Sequence, residues 1–188
     1  MRTGDRVIQY WRMRVSARWV PKNGRILDIG CHQGEFLKYL GNRIAPSVGI
    51  DTLLRQNNQS APHRLLPLVF EEPLPFGENS FDAVVLLATL EHMQDKPALA
   101  RETWRMLKPK GRVIITVPSP KVDDILSVLV KFRLVDGMSL EEHHGFIPKD
   151  VPMIFEEMGF ALKLRKKFQF GLNNLFVFEK SGELSKAR

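Results

Sequence analysis

Cys31 is the only cysteine in 188 residues, so no disulfide can form within the chain, and the paired-cysteine spacings of zinc sites are absent. A reducing compartment is therefore expected. No apolar run approaches the roughly 18 residues of a membrane span. The opening stretch MRTGDRVIQYWRMRVSARWV is interrupted by charge too often to contain the apolar centre of a signal peptide. A soluble, cytoplasmic protein is the expectation. Neither an H-x-x-x-H pair nor an acidic triad occurs, and no metal is expected. Internal repeats, low-complexity segments and linkers are missing as well. The length suits one domain over residues 1–180, with residues 1–20 as a front helix that could act as a lid and residues 181–188 as a frayed tail.

Acidic residues are in the minority: 28 Lys and Arg stand against 21 Asp and Glu, a formal charge of +7. The excess is concentrated at Arg2, Arg6, Arg12, Arg14, Arg18, Lys22 and Arg25, and again at Lys163, Arg165, Lys166 and Lys167. A solvated helix face and a charged sheet edge that resists aggregation account for both clusters. No RNA-binding signature accompanies them, and a nucleic-acid partner is not expected.

Helical spacing of Tyr10, Trp11, Val15 and Trp19 predicts a helix from Arg6 to Trp19, ended by Pro21. Strands are predicted at Arg25 to Leu27, Ser47 to Ile50, Leu65 to Val69, Phe81 to Leu87 and Arg112 to Val117, alternating with helices. One of these helices carries Leu99, Trp104 and Leu107 and is stopped by Pro109 and Gly111. Repeated β-then-α order implies a doubly wound, mostly parallel sheet covered by helices on both faces. Further helices are predicted near Val122 to Phe132 and Val151 to Met158. The runs FALKLRKKF and NLFVFEK then form a hairpin that adds one antiparallel strand near the C-terminus.

The segment ILDIGCHQGEFLKYL joins an apolar run to a helix through a loop with two glycines. Unpaired backbone N–H groups and the positive end of the helix are expected there, favouring an anionic group or a polar nucleotide. Asp51 ends the next apolar run, SVGID, about twenty residues further on, where an acid accepts hydrogen bonds from ribose hydroxyls. Taken singly it would be a helix cap. A dinucleotide fingerprint, G-x-G-x-x-G, fits the loop poorly.

The loop DIGCHQG resembles the first motif of class I S-adenosylmethionine-dependent methyltransferases, D-x-G-C-G-x-G, in the broad group that includes ubiquinone-biosynthesis C-methyltransferases. Asp28, Gly30, Cys31 and Gly34 match, and His32 stands where the family has its middle glycine. The run LPFGENSFDAVVLLATLEHMQDKPALARETWRMLKPKGRVIITVP follows the family's order of phrases, and the likeness extends from Arg25 to Phe178. It implies a Rossmann-like fold, S-adenosylmethionine as cofactor and S-adenosylhomocysteine as product. It also implies contacts to the cofactor from Asp28, Gly30, Cys31, His32, Gly34, Asp51 and Leu87. The family's adenine-binding acid falls at Phe70 with Glu71 next to it, and those two are the candidates there. At His32 the backbone must either avoid positive φ or accept strain, and the imidazole is expected to point away from the cofactor.

Transfer to a hydroxyl or an acidic carbon requires a base, and His143 and His144 in EEHHGF are the candidates, each weighed against a structural or exposed role. Glu91 is expected to cap the next helix, and Tyr10 and Trp11 to pack in the core. The segment N-P-P-Y, used on base amino groups, is absent. The leading expectation is methyl transfer to a small molecule, lipid precursor or sugar. The alternatives are an RNA or protein acceptor docked on the basic front helix, and a non-catalytic module that retains the cofactor fold.

Overall fold

Strands that bury both faces are apolar at consecutive positions, and the central strands of this chain are of that kind. The computed structural model describes residues 3–56, 58–60, 62–119 and 148–181. Its elements in chain order are α1 (Thr3–Ser16), β1 (Ile26–Ile29), α2 (Glu35–Leu40), β2 (Val48–Ile50), β3 (Asn58–Ser60), β4 (His63–Leu66), β5 (Phe81–Leu87), α3 (Lys96–Met106), β6 (Leu107–Pro118), α4 (Val151–Glu157), β7 (Phe160–Phe168) and β8 (Asn173–Lys180). The helix predicted near Val122 to Phe132 and the loop carrying His143 and His144 lie outside the described residues.

One eight-stranded sheet has the order β3-β4-β2-β1-β5-β6-β8-β7. Neighbours from β4 to β6 are parallel, and β8 runs antiparallel to both β6 and β7, as the closing hairpin predicts. A third antiparallel pairing, β3 on β4, was not foreseen. The sheet divides the core in two. Leu27, Val84, Leu86, Ile115, Phe176 and Phe178 face Leu99, Met106 and Phe155 of the α3–α4 layer. Ile26, Val85, Ile114, Leu175 and Val177 face Phe36, Leu37 and Leu40 of α2 and Ala17 after α1. Alternate residues of each strand thus serve opposite layers.

Several boundaries differ from the sequence expectation: α1 ends at Ser16 rather than Trp19, β1 runs on to Ile29, and β4 is His63–Leu66 rather than Leu65 to Val69. Helix α3 stops at Met106, where the Leu107 N–H closes on the Thr103 carbonyl, and Leu107 already pairs with Phe81. Pairing then resumes at Ala83 with Arg112, so Pro109 and Gly111 sit in an irregularity of β6 rather than ending a helix. Asp95, not Glu91, caps α3, accepting from Ala98 N at 2.8 Å.

The connection from β4 to β5 has almost no secondary structure, and α3 holds it in place. Glu72 forms a fork of 2.8 and 2.7 Å with Arg101. Glu102, buried, accepts from Leu74 N at 2.8 Å and pairs with Arg105, which also donates to the Leu74 and Phe76 carbonyls. Glu102→Ala would leave a buried amide and a guanidinium without their acceptor. A loss of about 3 kcal/mol is expected in urea unfolding, with Glu102→Gln losing less.

Candidate functional site

The C-terminal ends of β1, β2 and β5 open onto a cleft of about 1140 Å³. Asp28, Gly30, Cys31, His32, Asp51, Phe70, Glu71 and Leu87 all line it. Gly34 does not. It stands at the N-terminus of α2 with φ 74°, where a Cβ would come within 2.8 Å of the Leu65 side chain. Its service is to the turn and to close packing.

The loop after β1 is built from backbone ties to β2. Gly30 N and Cys31 N both donate to the Ile50 carbonyl, at 2.9 and 3.1 Å. His32 N donates to Asp51 Oδ2 at 2.7 Å, and Leu53 N to Asp51 Oδ1 at 2.8 Å. Gln33 N goes to Glu35 Oε2 at 3.0 Å, and Gly34 N to the Cys31 carbonyl at 2.8 Å. Every N–H from Gly30 to Gly34 is therefore accepted within the protein. This corrects the expectation of unpaired loop N–H groups: the loop spends its donors on its own shape, so it is not an anion cradle.

His32 adopts φ 50°, so the chain takes the left-handed conformation at the position where the family has glycine. Its Nδ1 lies 2.8 Å from Glu35 Oε1, which turns the half-exposed ring toward the first turn of α2. Gly30 has φ 75°, and a Cβ there would fall on the Thr89 side chain. Thr89 reaches this place because β5 ends at Ala88 in a left-handed turn (φ 57°) whose N–H bonds the Thr116 carbonyl at 2.9 Å.

Three carboxylates share this wall. Asp28 lies within β1, only 2% exposed. Its own burial, then Glu35 and Asp51, push its carboxyl up to about 7. Cys31 packs where Gly49 has no side chain, and burial followed by the charges of Asp28 and Asp51 drives its thiol well above the usual range. At neutral pH it stays protonated and unreactive. Phe70 is half-buried against the core and Glu71 is exposed at the rim.

Several residues of the cleft were not singled out from the sequence. Glu35 carried a signal, being an acid in the first turn of the helix after the loop. Gln9, Arg12 and Met13 of α1 had none. Tyr10 and Trp11, expected in the core, are instead exposed on the opposite side of α1. Glu91 is 2% exposed; burial pushes its carboxyl up to about 7 against the pull of its own N–H, Arg12 and Lys96, and Oε2 has no hydrogen-bond partner. Asp82, in the SFD phrase, belongs to the frame: it accepts from Arg25 N at 2.8 Å and pairs with Lys108 at 2.9 Å. Among the described residues no group of three or more His, Cys, Asp or Glu is placed to hold a metal ion, and no helix is long and apolar enough to cross a membrane.

A family model described as a methyltransferase domain matches residues 2–163. The ubiquinone/menaquinone biosynthesis C-methyltransferase UbiE of Pasteurella multocida is 28% identical over 135 residues, 64% of this chain and 50% of that protein. A demethylmenaquinone methyltransferase of Corynebacterium efficiens is 34% identical over 135 residues, 70% of this chain and 56% of that protein. The chain thus spans about half the length of these relatives. A solved S-adenosylmethionine-dependent methyltransferase of Methanosarcina mazei superposes with a TM-score of 0.63 over 90% of this chain and 98% of its own, at 21% identity, a likeness of fold alone.

Asp28 gives the site a pH signature. Its folded value, about 7, lies above the ordinary carboxylate range, so its contribution to stability is full below about pH 4 and is lost as pH rises through 7. Asp28→Asn removes that loss. The melting temperature of the variant should exceed that of the parent increasingly from pH 4 to pH 8; parallel curves would show that Asp28 ionises normally.

Proposed function

The chain belongs to the methyltransferase domain family and is a class I S-adenosylmethionine-dependent methyltransferase in kind, and from that premise we propose that it transfers a methyl group from S-adenosylmethionine to a small-molecule acceptor. The observation that carries this reading is the acidic wall of Asp28, Glu35 and Asp51 around a loop with no spare N–H groups. At the loop a pyrophosphate would meet three carboxylates and no spare backbone N–H, whereas a sulfonium nucleoside with an ammonium group is drawn to the same charge. When bound, the cofactor supplies a methyl carbon activated by its neighbouring sulfonium charge.

The protein's part is to position and to exclude water. Asp51 keeps lone pairs beyond the two used by His32 N and Leu53 N, and these accept the ribose hydroxyls. Leu87 and Phe70 offer apolar surface for the adenine, with Glu71 beside them as acceptor for its amino group. Asp28 and Glu35 supply the charge that favours the cation. Gln9, Arg12 and Met13 bring α1 to the same cleft as the acceptor-facing wall. His143 and His144 are the candidate proton acceptors. The names of the relatives, a ubiquinone/menaquinone biosynthesis C-methyltransferase and a demethylmenaquinone methyltransferase, support a small acceptor and leave its class open.

Calorimetry with S-adenosylhomocysteine tests the cofactor reading. Binding is expected, weakened roughly tenfold to a hundredfold by Asp51→Ala and less by Asp51→Asn, as loss of hydrogen bonds to a charged acceptor requires. No heat with that nucleoside, together with tight binding of a nicotinamide dinucleotide, would overturn it. For the histidines, His143→Ala and His144→Ala should be assayed with a turned-over acceptor. A fall in kcat with unchanged S-adenosylhomocysteine affinity is expected from at least one; unchanged kcat in the double variant removes both.

A further inference from the structure

Helix α1 has two working faces, and only one belongs to the cleft. Gln9, Arg12 and Met13 point to the cleft, whereas Val7, Tyr10, Trp11 and Arg14 recur at helical spacing on the other side and are exposed. Beside them the turn between β7 and β8 presents Phe170, 94% exposed, with the Trp11 ring edge-on at 5.8 Å. Gln169 and Phe170 both have left-handed backbone, at φ 51° and 57°, an unusual conformation for side chains of that size. Buried Gln169 anchors the arrangement by donating from Nε2 to the Ile8 carbonyl at 2.7 Å. A large apolar ring is thus held out into water on a stiff mount next to an aromatic helix face.

The charge around this patch has one sign. Arg6, Arg14 and Arg18 are exposed along the helix and just beyond it. Lys166 is exposed between Leu164 and Phe168, which pack in the same cluster as Met13, Val15 and Trp19, so it lies on the side of the sheet that α1 covers. No Asp or Glu occurs from residue 6 to residue 27, nor from residue 160 to residue 178. We propose that the outer face of α1, together with Phe170 and the neighbouring basic side chains, docks on the surface of an anionic lipid bilayer. Trp, Tyr and Phe settle at the headgroup level, and Arg and Lys beside them meet the lipid phosphates. Among the described residues the surface is a helix flank and the tip of a turn, and its side chains line neither the cleft nor a second, smaller pocket. Docking in this pose puts the helix that walls the cleft against the membrane.

The test uses flotation with phosphatidylglycerol–phosphatidylcholine vesicles and with pure phosphatidylcholine vesicles, in the absence of any methyl donor, so its result is independent of the methyl-transfer reading. Binding to the anionic vesicles alone is expected, weakening with salt. It should be accompanied by a blue shift of tryptophan emission that Trp11→Phe abolishes. Phe170→Ser, at a site open to solvent, and Arg14→Glu with Arg18→Glu should each lower vesicle affinity by about tenfold with circular dichroism and S-adenosylhomocysteine binding unchanged. Absence of vesicle binding, equal binding to phosphatidylcholine, or full affinity in these variants would overturn the proposal. So would a single-stranded RNA oligonucleotide that binds through the same residues while vesicles do not.

Discussion

The site depends on one carbonyl. Ile50 O, at the end of β2, receives the N–H groups of both Gly30 and Cys31, and the carboxylate of Asp51, next along, receives that of His32. Two strand ends are thereby tied into one edge, and the loop of β1 is held without help from a ligand. Positive φ at Gly30, His32 and Gly34 follows from making so many turns in so few residues. Gly30 accepts it freely and also clears space for Thr89; His32 accepts it with the support of its bonds to Asp51 and Glu35.

That economy sets the electrostatics. A loop that satisfies its own donors leaves side-chain charge to decide which ligand enters, and the charge here is negative: Glu35 from the helix and Asp51 from the second strand, joined by Asp28 from within the sheet as it ionises through about pH 7. Burial and the neighbouring carboxylates hold Asp28 near neutrality, so the wall responds to pH where most carboxylates do not. The remainder of the molecule is predominantly basic. Acidic cleft and basic exterior suit a cationic nucleoside inside and an anionic surface outside.

Much of the fold is legible because buried parallel strands carry runs of consecutive apolar residues: Phe81–Leu87 is predicted to the residue. The closing hairpin is legible from two strand-like runs separated by a short turn with Gly171, although Asn173 and Asn174, read as part of the turn, already belong to β8. Strand β3, Asn58–Ser60, escapes because a short polar edge strand has neither apolar periodicity nor length. The end of α3 is misplaced for a different reason. Proline and glycine punctuate locally, but pairing of Leu107 with Phe81 begins the strand before they are reached.

The location of the candidate site was written in the residues: an acid, glycines and a second acid at the spacing of a strand, a turn and a crossover mark one edge of the sheet. Direction was not. Whether Asp28 is buried and Trp11 exposed depends on which neighbours each strand and helix acquires. Those neighbours are 19 to 161 positions away in the chain, as Asp51 is from His32 and Gln169 from Ile8. Only packing decided that the loop's donors turn inward and that the aromatic face of α1 turns out.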